Sequence, residues 1–303
     1  MKFHLILLFG VFSLMLLFYP GDSQPLHTYA FHRELFTPAK KFEPVKIHDV
    51  PIATGSAQPV ISAESSYITD RATLAPLYAK NERVRMFPAS TTKMITALVA
   101  YDLYKPDDVV TINKTIEEGQ VMGLVQGEKI TAENLLYGLL VHSGNDAAYS
   151  IAYEKGYDNF IKKMNEKAAE LKMTDTNFVN PHGLHDPAQY TTAFDLTLAA
   201  RAVLNNPYLS KIVSTKEITI SDTDFKYFHR LSNVNQLLGV IPGIGGLKTG
   251  YTLEAGQNLV TLYKRQDGHE VILVVLHSID RFEDTANLVY WNEANIAYIK
   301  PQL

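Results

Sequence analysis

The sequence predicts an α+β fold of the broad α/β class, with helices in the middle of the chain and an antiparallel meander late in it. Three observations carry this prediction. Apolar residues recur at helical spacing through residues 88–206. The period then becomes strand-like in EITIS (217–221), NLVTLYKR (258–265) and EVILVVLHS (270–278). Only the turn signal Gln266–Gly268 separates the last two runs, so they pair antiparallel.

The chain opens with a single lysine and an uncharged apolar run from Leu5 to Tyr19. That is the form of a secretory signal and is short for a membrane span. The following YPGDSQP lacks a clear small-x-small cleavage site, so residues 1–24 read as a signal peptide or a retained signal anchor. Either way the protein is expected to work extracytoplasmically, secreted or periplasmic, or anchored to the outer face of the membrane. Residues 25–50, with Pro25, Pro38 and Pro44 and no sustained period, read as a linker. The folded domain is expected over 51–303.

PVISAESSYI (59–68) and ATLAPLYAK (72–80) read as two strands of a hairpin meeting near Thr69–Arg71. Pro88 opens a helix to about Tyr104, where Met94, Ile95, Ala97, Leu98 and Val99 nearly encircle the axis and predict burial on most sides. Thr131 is the expected N-cap of a helix over 131–143, and further helices are expected at 147–156, 158–173, 191–206 and 282–299. There is no internal repeat and no low-complexity tract.

Composition narrows the function. A chain of 303 residues, 46% hydrophobic and 20% charged, can bury a large core. A net charge of −4 leaves no basic footprint for nucleic acid. The absence of cysteine excludes disulfides, thiolate metal sites and cysteine nucleophiles. His182, His185 and Asp186 approach ligand spacing, yet no third histidine or glutamate stands at a supporting distance, so no metal and no organic cofactor is expected.

Three short motifs fall on three separate elements: Ser90-Thr-Thr-Lys93, Ser143-Gly-Asn145 and Lys248-Thr249-Gly250. An S-x-x-K alone arises by chance about once in such a chain, and its bland reading is a helix cap beside a surface charge. Residues three apart share a helix face, so the Lys93 amine can reach the Ser90 hydroxyl. A serine attacks poorly until a base takes its proton, and a lysine serves if burial and a neighbouring cation such as Lys248 lower its pKa. Ser143 can relay a proton and Asn145 can position a substrate. Gly250, expected just ahead of or on an edge strand, lets an extended peptide lie close. The N–H groups of Ser90 and Tyr251 are then the expected oxyanion donors.

S-x-x-K with K-T-G is a signature of penicillin-binding proteins and class A β-lactamases. Together PASTTKMITALVA, HSGNDAA, NPHGLHDPAQYTTAFDL and GGLKTGYTLEAG closely resemble the D-alanyl-D-alanine carboxypeptidases, low-molecular-mass penicillin-binding proteins, over about residues 51–300. The resemblance implies a serine β-lactamase/transpeptidase-like fold: an antiparallel sheet flanked by helices, plus a helical subdomain. It implies that Ser90 is acylated, Lys93 is the base, Ser143 and Asn145 form the second catalytic motif, and Lys248, Thr249, Gly250 and Tyr251 line the substrate. Arg281, ten residues before Trp291, resembles the family's substrate-carboxylate arginine, whose fork suits a terminal carboxylate. NPHGL is placed beside the cleft, with His182 in a supporting role.

The sequence departs from many members at Tyr251, where they carry histidine, and at Phe194, where they carry arginine. Leu303 follows the final helix directly, so no C-terminal β domain is expected, and any membrane attachment falls to the N-terminus. The implied function is a serine D-Ala-D-Ala carboxypeptidase acting on peptidoglycan stem peptides and acylated by β-lactams. An endopeptidase cleaving crosslinks is the enzymatic alternative, and a non-catalytic penicillin-sensing or wall-binding protein the alternative from another class. A β-lactamase fits less well, because the second motif reads S-G-N rather than S-D-N.

Overall fold

The computed structural model describes residues 2–17, 47–55 and 57–301. The cleavage region and the linker read at 25–50, up to residue 46, lie outside the described residues. The chain divides into two units, Met1–Ile47 and His48–Leu303. In the first, α1 (Lys2–Leu17) is a 16-residue helix, uncharged after Lys2. Among the described residues no helix is long and apolar enough to cross a membrane.

The second unit is built on a five-stranded antiparallel sheet. Its strands are β2 (Ser65–Asp70), β3 (Pro76–Lys80), β8 (Ile244–Thr252), β9 (Gly256–Lys264) and β10 (Glu270–Ser278). Their spatial order is β3-β2-β10-β9-β8, so β8 is an edge. The continuous apolar run of β10 follows from burial on both faces. Val271, Leu273 and Val275 pack on one side with Leu288 and Val289 of α8 (Arg281–Asn295). Ile272, Val274 and Leu276 face a larger core built by the helices between β3 and β8.

That core centres on α2 (Lys93–Leu103), in which every residue from Lys93 to Ala100 is buried. A 3-10 turn at Ala89–Thr92 leads into it, a tighter start than the single helix the sequence suggests. Around α2 pack α3 (Ala132–Leu140), α4 (Asn145–Glu154), α5 (Tyr157–Glu170) and α6 (Ala193–Asn205). Thr131 caps α3 as expected, its side chain accepting from Asn134 N at 3.3 Å. A short α7 (Pro207–Val213), capped by Asn206, follows α6 and was not legible in the sequence.

Three small antiparallel pairs complete the unit: β1 (Val50–Ala53) with β11 (Ile296–Ile299), β4 (Val109–Thr111) with β5 (Lys129–Thr131), and β6 (Glu217–Ser221) with β7 (Phe228–Ser232). The first pair corrects the expected helix over 282–299. The buried Arg265 donates to the Asn292 carbonyl at 2.8 Å and to the Ile296 carbonyl at 2.8 Å. It thereby satisfies the carbonyls that a helix end leaves open and stops α8 at Asn295. The expected hairpin at 59–80 is present, but its first strand begins only at Ser65. EITIS and EVILVVLHS are strands over the expected residues. K-T-G lies inside β8, so Gly250 stands on an edge strand, the second of its two expected placements; a bulge between Ile244 and Leu247 takes up Gly245 and Gly246.

The loop between β4 and β5 folds over α4 and is held by two buried acids. Asp146 accepts from the backbone N–H groups of Met122 (3.0 Å), Gly123 (2.8 Å) and Leu124 (3.0 Å). Glu128 accepts from Val125 N at 2.9 Å and meets His229 Nε2 of β7 at 2.7 Å. His229 Nδ1 lies 3.1 Å from the Met122 carbonyl, so both ring nitrogens have partners when the imidazole is charged. The hydrogen bond to Glu128 raises the pKa of His229 above its ordinary 6.5. The folded ring therefore holds its proton to higher pH than the unfolded one. Its contribution to stability is complete below pH 6.5 and is lost as pH rises through the folded value. In thermal unfolding, the loss in Tm caused by His229→Phe is expected to be larger at pH 6 than at pH 9; an equal loss at both would show that the clamp carries no charge.

Candidate active site

The three motifs converge where the start of α2 meets β8. Pro88 sets the entry: its carbonyl accepts from Thr91 N at 3.2 Å and from Thr91 Oγ1 at 2.7 Å, closing the turn that carries Ser90. Lys93, the first residue of α2, is fully buried, and its Nζ has three partners. They are Ser90 Oγ at 2.8 Å, Asn145 Oδ1 at 2.6 Å and the His182 carbonyl at 2.7 Å.

These contacts fix which way the lone pair of a neutral Lys93 amine faces. The Asn145 amide is oriented because its Nδ2 donates to the Glu118 carbonyl at 2.8 Å, which turns Oδ1 toward the lysine. Asn145 Oδ1 and the His182 carbonyl can only accept. A neutral amine has two N–H groups and one lone pair, so both N–H groups are spoken for and the lone pair is left to the Ser90 hydroxyl. Burial pushes the Lys93 pKa well below its ordinary 10.5, and the nearby Lys248 charge lowers it further. A helix cap beside a solvated charge does not describe this pair, because Lys93 has no exposed surface.

Lys248 is itself buried on β8, and its pKa is pushed down to about 7 by burial and by the Arg281 charge. Arg281, at the start of α8, donates from Nη1 to the Gly250 carbonyl at 2.7 Å; burial lowers its pKa as well. Lys248 and Arg281 thus form a pair of mutually repelling cations beside Ser90 and the Lys93 amine. Thr249 is buried next to Lys248, while Tyr251 is exposed on the strand edge. Gly250 passes so close to the turn that carries Ser90 that a Cβ there would stand 3.0 Å from both Ser90 N and the Pro88 carbonyl. Ser143 is buried two residues before Asn145 with φ 65°, but it is not among the partners of Lys93.

The backbone carbonyl of His182 is the Lys93 partner that the sequence does not reveal, since the resemblance gives His182 only a supporting place. It reaches Lys93 because the 180–184 turn is pressed against the turn that carries Ser90. A Cβ on Gly183, at φ +90°, would fall 1.9 Å from the Ala89 carbonyl. Asn180 holds that turn by accepting from Gly183 N at 2.7 Å and donating to the Leu184 carbonyl at 3.0 Å. The His182 ring is buried with Nδ1 accepting from Leu184 N at 3.2 Å, and burial beside Lys93 depresses its pKa to about 3. His185 instead packs edge-on against Phe87, 4.7 Å between ring centres. The two histidines therefore serve separate local contacts.

Comparison with known proteins finds similarity over most of the chain. The D-alanyl-D-alanine carboxypeptidase family model matches residues 52–279. The D-alanyl-D-alanine carboxypeptidase DacF of Bacillus subtilis is 34% identical over 222 residues, 70% of this chain and 57% of DacF. DacD of Escherichia coli, also a D-alanyl-D-alanine carboxypeptidase, is 32% identical over 263 residues, 80% of this chain and 66% of DacD. The chain thus spans less than two thirds of the length of these two relatives. The crystal structure of a D-alanyl-D-alanine carboxypeptidase from Mycobacterium tuberculosis H37Rv superposes with a TM-score of 0.75 at 31% identity, covering 82% of this chain and 97% of that one. The fold is therefore that of the penicillin-binding proteins, as the sequence predicted.

Replacing Lys248 by methionine removes a cation that holds the Lys93 pKa down. The Lys93 titration, followed by NMR of its side-chain carbon beside the amine, is expected to move to higher pH in that variant. An unchanged titration would show that the two lysines do not sense each other.

Proposed function

The chain belongs to the D-alanyl-D-alanine carboxypeptidase family, and from that premise we propose that it removes the terminal D-alanine of peptidoglycan stem peptides through an acyl-enzyme on Ser90. The observation that carries this reading is the Lys93 amine, buried, with its two N–H groups engaged and Ser90 Oγ 2.8 Å away. Such an amine is a base already in place.

The peptide lies extended along the free edge of β8. Its terminal carboxylate meets Thr249 and Arg281, with Lys248 behind them, and relieves the repulsion between the two cations. The scissile carbonyl points its oxygen at the N–H groups of Ser90 and Tyr251. Ser90 Oγ attacks the carbonyl carbon while its proton passes to Lys93. Ser143 relays that proton to the leaving nitrogen, the C–N bond breaks, and D-alanine departs. A water then attacks the ester, gives its proton to Lys93, and the Ser90 hydroxyl is restored. Asn145 holds both Lys93 and the incoming peptide. A β-lactam enters the same way, because its strained amide occupies the place of the scissile bond.

The substrate class sets the location: the enzyme acts outside the cytoplasmic membrane, and the apolar segment of residues 1–24 serves as signal peptide or anchor. The stem peptide is the partner, and neither nucleic acid nor a cofactor enters the cycle.

Labelled penicillin offered to the native protein and to Ser90→Ala tests the reading. The native chain is expected to become labelled and to release D-alanine from a pentapeptide; the variant is expected to do neither. Asn145→Ala is expected to lower D-alanine release about a hundredfold, the scale of losing one preorganised dipole. No labelling of the native protein would overturn the enzyme assignment. Cleavage of a crosslinked dimer in preference to the pentapeptide would reassign it as an endopeptidase.

A further inference from the structure

Ser143, the proposed proton relay, is buried, yet its own side chain does not hold it in place. Among the described residues its hydroxyl has no hydrogen-bond partner, and its backbone stands at φ 65°. That is the left-handed region, which a serine keeps only where its surroundings impose it. The direction of Ser143 Oγ is therefore set by the turn His142–Asn145, between the end of α3 and the start of α4.

Gln120 grips that turn at both ends. Its carbonyl accepts from Asn145 N at 2.7 Å, and its Nε2 stands 2.9 Å from His142 Nε2. His142 Nδ1 is buried without a partner, so among the described residues this contact is the ring's only hydrogen bond. The Gln120 carboxamide can turn its nitrogen or its oxygen to the ring, so the bond forms with either neutral tautomer. The backbone around Gln120 is fixed from both sides. The Glu118 carbonyl accepts from Asn145 Nδ2 at 2.8 Å, and Met122 N donates to Asp146 Oδ1 at 3.0 Å. The turn itself is anchored before and after the serine: Val234 N donates to the Val141 carbonyl at 3.2 Å, and Gly144 N to the Gly138 carbonyl at 2.9 Å. Among the described residues neither His142 nor Ser143 makes a backbone hydrogen bond, so the imidazole is what steadies that stretch.

We propose that Gln120 and His142 are positioning residues that hold Ser143 Oγ in line with the leaving nitrogen. The inference rests on the relay assigned to Ser143 in the previous subsection. As the C–N bond breaks, Ser143 Oγ gives its proton to the nitrogen and regains one from Lys93, which took it from Ser90. An amide nitrogen is too basic to leave without that proton, so the approach of Ser143 sets the rate of acylation by a peptide. A misplacement of about 1 Å costs up to a hundredfold in such a step. The pair lies at the surface, where one hydrogen bond adds little to stability, so its effect falls on the geometry of the relay.

A pentapeptide ending in D-alanyl-D-alanine and its thioester analogue, with sulfur in place of the scissile nitrogen, test this. A thiolate leaves without a proton, because a thiol has a pKa of about 8.5. Gln120→Ala removes the ring's partner and keeps the carbonyl that Asn145 N uses. In the full chain it is expected to lower kcat/KM for the peptide, relative to that for the thioester, about tenfold. His142→Phe is expected to lower this ratio as much, and the double variant no further than either alone. An unchanged ratio in Gln120→Ala, or additive losses in the double variant, would overturn the positioning role while leaving the carboxypeptidase reading intact. Ser143→Ala is expected to lower the ratio at least as far. An unchanged ratio in that variant would overturn the relay itself and this inference with it.

Discussion

A single buried amine constrains the rest of this fold. Taking a lysine ammonium out of water costs several kcal/mol unless a partner charge compensates, and the neighbours of Lys93 are a hydroxyl, an amide oxygen and a backbone carbonyl. The less costly state is the neutral amine, and a neutral amine with both N–H groups engaged presents its lone pair to the third neighbour. Everything that holds those three neighbours in place therefore also sets the reactivity of Ser90. Burial of α2 from Lys93 to Ala100 is the first such support, because a helix locked on all sides cannot turn its first residue toward solvent.

The other supports come from distant parts of the chain. Asn145 is held from above by the loop between β4 and β5, through the Glu118 carbonyl on its amide and the Gln120 carbonyl on its backbone N–H at 2.7 Å. That loop is in turn fastened by Asp146 and by the Glu128–His229 pair, so an imidazole on β7 bears on the position of the amide next to Lys93. The His182 carbonyl is delivered by a turn that only glycine at 183 lets approach. The sheet contributes Lys248, which keeps a second positive charge close enough to oppose protonation of Lys93. Helical core and sheet meet at this one point, and the chemistry proposed for it needs both.

Much of this was legible in the sequence because it was written in residue types. The three motifs, the apolar girdle of α2 and the doubly buried run of β10 each leave a pattern in side chains. The parts that were not legible are backbone events or long-range contacts. The His182 carbonyl carries no residue identity, and its only visible trace is the Asn-Pro-His-Gly turn around it. The end of α8 depends on Arg265, 27 residues upstream of Asn292, whose guanidinium takes the helix carbonyls. The start of the strand containing K-T-G was hidden by two glycines that mark a bulge as readily as a loop. The Glu128–His229 clamp joins residues 101 positions apart with no shared motif.

The central claim is that Lys93 is neutral when Ser90 reacts, and the pH dependence of Ser90 acylation measures it most directly. The second-order rate constant for labelled penicillin, followed from pH 5 to pH 11, is expected to have completed its rise well below the ordinary lysine value of 10.5. A decline should follow as Lys248, with its pKa at about 7, gives up the charge that attracts the carboxylate. A rate that keeps climbing toward pH 10.5 would mean that Lys93 is an ordinary charged lysine at neutral pH, and the account of this site would fail.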